Sequence, residues 1–271
     1  MVIDFHAHVF PDKIAEKTVT MLEGLGNIPS FANGTEVCLS DALIRAEIDL
    51  AVNLPVLTKP SQFSSVLEFA KELNRERREG RSNILSFAGI HPDMDDIEEK
   101  LLLVKEAGIP GIKVHPDYQG SFFDCEGYVR IMKAAKELDL IAVTHSGVDA
   151  AYAKGPVRCT PERVLRVLDR IGGYSKLVLA HYGANAMFDE VYDSLAGEDV
   201  YFDTAYVLGY IPRATFVRIL EKHGSDRILF ATDSPWQDVS KDLERLRSFG
   251  LGKDDEEKIL SKNAEKLLGI S

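Results

Sequence analysis

The sequence is poor in cysteine. Its three cysteines, Cys38, Cys125 and Cys159, are odd in number, and no two of them are spaced as C-x-x-C. This pattern excludes a scaffold held together by disulfides, and it does not predict a zinc site built from thiolates. Free thiols are typical of a reducing compartment, so we expect a cytoplasmic protein.

Long apolar runs and an excess of positive charge are also missing. No stretch approaches the roughly 20 apolar residues that a membrane-spanning helix needs. The first predicted strand starts at residue 2, so we expect no signal peptide. The formal net charge of −11 argues against a strong electrostatic footprint for nucleic acid, although a local basic patch could persist. We therefore predict neither a nucleic acid nor a membrane as partner.

What the 271 residues do contain is an alternation of short apolar runs and amphipathic segments. Several runs are apolar on both faces, as parallel strands covered by helices are. The predicted strands are Val2–Phe5, Leu50–Leu54, Ile84–Ile90, Gly111–Val114, Leu140–Thr144, Leu177–Ala180, Val200–Asp203 and Ile228–Ala231. The predicted helices are Asp12–Leu25, Ser61–Glu79, Asp95–Ala107, Asp124–Leu138, Pro161–Ile171, Ala186–Leu195, Pro212–His223 and Val239–Leu246, with Lys253–Leu268 closing the chain.

Eight strands that alternate with eight helices predict a single (β/α)₈ TIM barrel over residues 1–271. A doubly wound open sheet is the alternative, but no G-x-G-x-x-G follows the first strand, which weakens a dinucleotide-binding version. Residues Glu23–Ser40 form a long excursion after the first strand and helix. This excursion is either a lid or side wall of the barrel or a plain surface loop.

Histidines are concentrated at the ends of the predicted strands. In a TIM barrel the functional side chains gather at the carboxyl ends of the strands. Of the seven histidines, only His223 lies in a predicted helix. The six at strand ends are His6, His8, His91, His115, His145 and His181, and Asp233 follows the eighth strand.

The pair His6 and His8 indicates a metal site, because residues two apart in a strand point to the same side. Neutral imidazoles with one carboxylate suit zinc, iron, manganese or nickel, and the lack of thiolates argues against a closed structural site. An open metal position would lower the pKa of a bound water toward neutrality. Asp233 could take the proton of that water and later deliver it to a leaving group.

These segments resemble the amidohydrolase superfamily, and specifically its amidohydrolase-related branch, which includes aminocarboxymuconate-semialdehyde decarboxylase-like enzymes. The resemblance spans nearly the whole chain and is specific at the level of the superfamily, not of the substrate. The matching segments are Asp4–His8, Gly111–Pro116, Thr144–Ser146, Leu179–Gly183, Ala231–Trp236 and Asn263–Gly269.

The resemblance implies a divalent metal bound by His6, His8, His145 and Asp233, with zinc as the expected ion and manganese, iron or nickel as alternatives. It implies that His181 either binds a second metal or stands beside the reacting group as an acid, base or orienting donor. The expected catalytic residues are therefore Asp233 and His181.

Two roles are open for Lys113. In some binuclear members of the superfamily, a lysine at the end of the fourth strand is carboxylated and bridges two metals. An unmodified Lys113 could instead pair with Asp233 or hold a substrate carboxylate. We favour one ion, with Lys113 and His115 beside it or in contact with the substrate.

Two further residues are candidates for substrate binding. Arg158 lies in the loop after the fifth strand, where it could bind a substrate carboxylate with two hydrogen bonds. Tyr182 follows the sixth strand, next to His181. An ordinary surface position for Arg158 and ordinary packing for Tyr182 are the alternatives. We expect a small-molecule substrate that can carry a carboxylate, and self-assembly stays open.

The leading functional hypothesis is a hydrolase in which metal-bound hydroxide attacks an amide, ester or lactone. The alternative is non-oxidative decarboxylation of a small aromatic or unsaturated carboxylic acid on the same site. The chain also resembles TatD-like nucleases at Asp4–His8, Gly89–Pro92 and Thr232–Pro235, but it lacks the glutamate-containing end of strand four which that family has. A barrel with a non-catalytic metal is the hypothesis without enzymatic activity.

Overall fold

The computed structural model describes residues 1–270, and its strands follow the apolar runs of the sequence. Every residue of these strands is buried, as expected for strands that are covered on both faces. The strands are β1 (Ile3–Ala7), β2 (Leu50–Asn53), β3 (Ile84–Ser86), β4 (Ala88–Gly89), β5 (Gly111–Val114), β6 (Ile141–Thr144), β7 (Leu177–Leu179), β8 (Tyr201–Asp203) and β9 (Ile228–Leu229).

The strands form two parallel ladders, β1-β2-β3 and β4-β5-β6-β7-β8-β9. Strands β3 and β4 are two halves of one predicted strand, and Phe87 between them donates its N–H to the carbonyl of Asn53 at 2.9 Å. The last strand meets the first: the N–H of Phe5 donates to the carbonyl of Phe230, and that of Asp233 to the carbonyl of His6, both at 2.8 Å. These hydrogen bonds close the ring and confirm the predicted TIM barrel. That the chain forms one domain stays a prediction.

The helices occupy the connections between the strands. The longest, α3, has sixteen residues. The helices are α1 (Asp12–Gly26), α2 (Glu36–Ala46), α3 (Phe63–Arg78), α4 (Ile97–Glu106), α5 (Pro116–Gln119), α6 (Glu126–Glu137), α7 (Pro161–Ile171), α8 (Phe188–Glu190), α9 (Arg213–His223), α10 (Val239–Ser248), α11 (Lys253–Glu257) and α12 (Asn263–Leu268). Within residues 1–270, no helix has both the length and the hydropathy that crossing a bilayer requires.

Helix α2 lies partly within the excursion that the sequence left open. It begins after Thr35, whose hydroxyl accepts a hydrogen bond from the N–H of Cys38 at 3.3 Å. Leu39 and Leu43, one turn apart, are buried beneath it. The excursion is therefore not a plain loop, because it contains the end of α1, a connection and the start of a second packed helix. Leu25, Gly26 and Ile28 line the cavity at the carboxyl ends of the strands, as the side-wall alternative predicts.

Helix α6 packs closely against a strand-end loop at Gly127. A methyl group added to Gly127, near the start of α6, would lie 2.2 Å from the carbonyl oxygen of Pro92. In contrast, a methyl group at Gly24, inside α1, would meet no atom within 4 Å. Substitution by alanine therefore creates a steric clash at Gly127 and none at Gly24.

We predict that Gly127→Ala lowers the free energy of unfolding by about 1–3 kcal/mol, because α6 must move away from backbone that cannot yield. The matched variant Gly24→Ala should raise it by about 0.5–1 kcal/mol, since alanine loses less entropy in a helix. Urea denaturation measures both changes. A Gly127→Ala protein as stable as the unmodified chain would contradict this account of the packing.

Candidate metal centre and catalytic cavity

The predicted metal and catalytic side chains line one cavity of about 550 Å³. It opens at the carboxyl ends of the strands, where the ends of β1, β5, β6, β7 and β9 converge. The side chains at its floor are those of His6, His8, Lys113, His115, His145, His181 and Asp233.

Three of these residues bring their ligand atoms to a common point. The Nε2 atoms of His6 and His8 are 3.2 Å apart. Asp233 places Oδ1 at 3.1 Å from Nε2 of His8 and 3.4 Å from Nε2 of His6. These three side chains could hold a metal ion between them.

The protons of both imidazoles are held on the side away from this point. Nδ1 of His8 lies 2.9 Å from the carbonyl oxygen of Leu54, which can only accept, so Nδ1 carries the proton. Nδ1 of His6 lies 2.9 Å from Oδ2 of Asp203, which fixes the same tautomer. Burial lowers the pKa of His6 well below its usual value, and the positive charge of Lys113 lowers it further. His6 is therefore neutral, with its lone pair on Nε2.

The consequence is that Nε2 of His8 faces two acceptors, Nε2 of His6 and Oδ1 of Asp233. Lone pairs at these distances repel each other unless a cation lies among them. Two imidazole nitrogens and a carboxylate oxygen form a donor set that suits a divalent metal of the zinc, manganese or iron type. The residues present therefore fit a metal ion.

Lys113 lies directly beside this group. It is completely buried, and its Nζ is 3.1 Å from Nε2 of His6. Burial lowers the pKa of Lys113 to about 8, against the opposing effect of the carboxylates of Asp203 and Asp233. The amine can thus donate a hydrogen bond to His6.

His145, the fourth predicted ligand, lies in a neighbouring group. Its Nδ1 is 2.9 Å from Nε2 of His181, and its ring stacks on that of His115 with 4.1 Å between centroids. Asp149 Oδ2 is 3.5 Å from Nε2 of His115 and 4.0 Å from Nε2 of His145. His115, His145 and Asp149 are also close enough together to hold a metal ion. Nε2 of His145 has no hydrogen-bond partner among the residues that the structure describes.

Both predicted catalytic residues sit in left-handed backbone, with φ of 63° at His181 and 68° at Asp233. For residues other than glycine this conformation is costly, so surrounding contacts must hold it in place. At His181 it is held by the backbone N–H, which donates to Oδ1 of Asp203 at 2.9 Å, and by Nδ1, which lies 3.0 Å from the carbonyl oxygen of Ala205. His181 therefore presents Nε2 to the cavity.

The two predicted substrate-binding residues outside this floor do not reach the cavity. Tyr182 is completely buried, its ring stacks on Phe216, and its hydroxyl donates to the carbonyl oxygen of Phe216 at 2.9 Å. The backbone is left-handed at both His181 and Tyr182, with φ of 63° and 58°, and this turn of the chain sends the Tyr182 side chain outward. Arg158 places Nη1 at 3.4 Å from Oδ1 of Asp117 and does not line the cavity as the structure stands. The expectation for Tyr182 is corrected, since its side chain is buried away from the cavity. That Arg158 binds substrate stays a prediction.

Asp203 was not among the predicted site residues, although its carboxylate accepts hydrogen bonds from both His6 and His181. It is fully buried at the end of β8. Burial raises its pKa, while the nearby positive charges and two backbone N–H groups act in the opposite direction. An acidic residue at the end of an apolar strand was visible in the sequence. Because functional side chains of a TIM barrel gather at the carboxyl ends of its strands, a carboxylate at that position also predicts a site residue.

A closed ring of parallel strands with imidazoles and a carboxylate at its carboxyl ends defines a TIM barrel with a candidate metal centre. A family model described as amidohydrolase matches residues 3–270. The chain therefore belongs to the amidohydrolase family, which confirms the resemblance seen in the motifs and the prediction of an enzyme of this superfamily.

Solved structures similar to this chain support the same fold. A dihydroxybenzoic acid decarboxylase from Polaromonas sp. JS666, with bound manganese and 2-nitroresorcinol, is 16% identical, with 99% of this chain and 96% of that chain covered and a TM-score of 0.73. The 5-carboxyvanillate decarboxylase from Sphingomonas paucimobilis is 13% identical, with 100% and 99% covered and a TM-score of 0.72. A TIM-barrel protein from Bordetella bronchiseptica is 16% identical, with 99% and 98% covered and a TM-score of 0.76. Among curated proteins, no sequence matches this chain.

We predict that Asp203→Asn weakens the binding of Mn²⁺ or Zn²⁺ by about 10- to 100-fold. The amide oxygen can still accept from the backbone N–H groups, but the amide nitrogen cannot accept the proton of His6 Nδ1. His6 would then shift its proton to Nε2 and lose the lone pair that binds the metal. Competition with a fluorescent chelator measures the affinity. The control is Asp199→Asn, an exposed aspartate paired with Arg227; equal affinity in both variants would contradict the role given to Asp203.

Proposed function

We propose that this protein is a metal-dependent decarboxylase that acts non-oxidatively on a small aromatic or unsaturated carboxylic acid. The observation that carries the proposal is the convergence of His6, His8 and Asp233 on one point of a deep cavity. The similarity to decarboxylases over nearly their whole length favours this reaction over the hydrolysis that the sequence analysis placed first. Cleavage of an amide, ester or lactone has no comparable support.

The proposed cofactor is one divalent ion held by His6, His8 and Asp233. When bound, it would polarise the oxygens of the substrate acid and stabilise negative charge that develops during the reaction. Imidazole and carboxylate ligands suit zinc, our first expectation, and they also suit manganese, which is bound in the decarboxylase from Polaromonas. That His145 is a fourth ligand stays a prediction, as does the carboxylation of Lys113.

Decarboxylation requires a proton at the carbon that carries the carboxylate. As the bond to that carbon breaks and CO₂ leaves, a carbon–hydrogen bond must form in its place. We assign the delivery of this proton to Asp233, which would first take it from solvent on Oδ2, the oxygen not directed at the imidazoles, and then pass it to the carbon. Its carboxylate lies beside the imidazoles with only 7% of its surface exposed. His181, whose ring proton is held on Nδ1 by the carbonyl oxygen of Ala205, would turn the lone pair of Nε2 toward His145 and orient that ring beside the departing group. Burial of the floor keeps water from competing for the carbon.

We predict that the protein loaded with Mn²⁺ or Zn²⁺ releases CO₂ from an acid in a panel that includes 2,6-dihydroxybenzoate and 5-carboxyvanillate. Dialysis against a chelator should abolish this activity, and adding the metal back should restore it. Headspace CO₂ and the loss of the acid by chromatography measure the reaction. Metal-dependent hydrolysis of esters or lactones without CO₂ release from any acid would instead support the hydrolase.

We further predict that Asp233→Asn lowers kcat by about 10²- to 10⁴-fold, because the amide cannot deliver a proton. Since Asp233 is also a proposed ligand, kcat is compared at saturating metal, with occupancy measured by elemental analysis. The matched control, Asp189→Asn, removes an exposed carboxylate that pairs with Arg218 and should leave kcat unchanged. A fully metal-loaded Asp233→Asn enzyme with normal kcat would show that another group supplies the proton.

A further inference from the structure

The catalytic cavity extends from its polar floor along helix α1. Ile14, Thr18, Met21, Leu22 and Leu25 of α1 line it. Their positions, i, i+4, i+7, i+8 and i+11 from Ile14, place them on one face of the helix. Ala15 and Val19, on another face, are buried within the protein. Helix α1 is therefore apolar both toward the protein core and toward the cavity.

A second wall of the cavity is uncharged and mostly apolar, with Thr58 and Gln62 as polar residues before α3. Helix α3 contributes Ser65, Val66 and Phe69 to the cavity, and the segment after β2 contributes Pro55 and Val56. No side chain that α1 or α3 contributes to the lining is charged. The imidazoles, Lys113 and Asp233 lie at the floor, and the one other carboxylate of the lining, Asp149, lies beside His115 and His145. The cavity thus has a polar end and an apolar end.

Three apolar side chains at this end are left facing solvent. Ile14 is 50% exposed, Met21 60% and Leu25 48%. Covering such side chains with an apolar group is favourable, in proportion to the area removed from water. A cavity of about 550 Å³ also lies in the size range that holds drug-sized ligands. A single-ring acid at the floor would leave the α1 wall uncovered.

We propose that the substrate is a carboxylic acid with an extended apolar substituent, which binds along α1 while the acid group lies at the floor. This inference rests on the proposed function only for the position of the acid group. The walls of α1 and α3 would select the length of the substituent, whereas the floor would perform the reaction. The stripe on α1 is thus a specificity element of the active site.

The test uses a homologous series, 2-hydroxybenzoate and its 4-ethyl, 4-butyl and 4-hexyl derivatives, titrated calorimetrically into the Mn²⁺-loaded protein. We expect Kd to fall by about fourfold for each added methylene group that becomes buried. A Kd that stays constant along the series, or a hexyl derivative that does not bind, would overturn the inference. If binding depends on chain length but no acid releases CO₂, the proposed reaction fails and the apolar subsite stands.

The variant pair is a double substitution, Ile14→Gln with Met21→Gln, and its control, Val37→Gln with Ile44→Gln. Val37 and Ile44 are 67% and 69% exposed on α2 and do not line the cavity. The first pair should raise the Kd of the hexyl derivative at least tenfold and leave that of 2-hydroxybenzoate unchanged; the control should change neither. Equal effects of both pairs would overturn the inference. A second outcome would also overturn it: light scattering shows a dimer, only the α1 substitutions dissociate that dimer, and the Kd of the hexyl derivative does not change. The stripe on α1 would then be a dimer interface.

Discussion

The carboxylate of Asp203 is the group on which the geometry of the site depends. It accepts the Nδ1 proton of His6 and the backbone N–H groups of His181 and Ala205. One buried side chain at the end of β8 thereby fixes the tautomer of a residue on β1 and the backbone of a residue after β7. Its burial raises its pKa, but three donors aimed at its oxygens favour the charged form. Without this anion, nothing would keep the proton of His6 on Nδ1 and the lone pair on Nε2.

From this constraint follows the electrostatic character of the whole floor. Burial lowers the pKa values of His6, His115 and His145 well below the usual value, so their rings are neutral and each has one lone pair to place. At His8 and His6 the lone pairs point at each other and at Asp233. The protein has therefore organised acceptors around a point with no donor except Lys113. Such an arrangement is costly for an empty protein and favourable for one that binds a cation.

Much of this fold was predictable because the strand pattern and the histidine positions carry the same information. Apolar runs of strand length alternate with amphipathic segments, and the histidines cluster where a barrel puts its chemistry. The details that failed depend on backbone conformation beyond the strand ends. Tyr182 points outward because the backbone is left-handed at both His181 and Tyr182, and no local sequence pattern predicts that. Helix α2 was not among the predicted helices, and its buried positions, Leu39 and Leu43, are too few to mark an amphipathic segment on their own.

The architecture of the barrel also explains why the class of reaction is easier to infer from this sequence than the identity of the substrate. The reactive groups lie at the strand ends, and the hydrogen-bonded ring of strands fixes the positions of those ends. The far end of the cavity comes from α1 and α3, whose cavity-facing side chains have no role in closing the ring. Ile14 and Met21 leave much of their apolar surface in water, so retaining them offers no gain in folding free energy from burial. An apolar stripe that does not contribute to the core and opens onto catalytic groups is best explained by what those groups act upon.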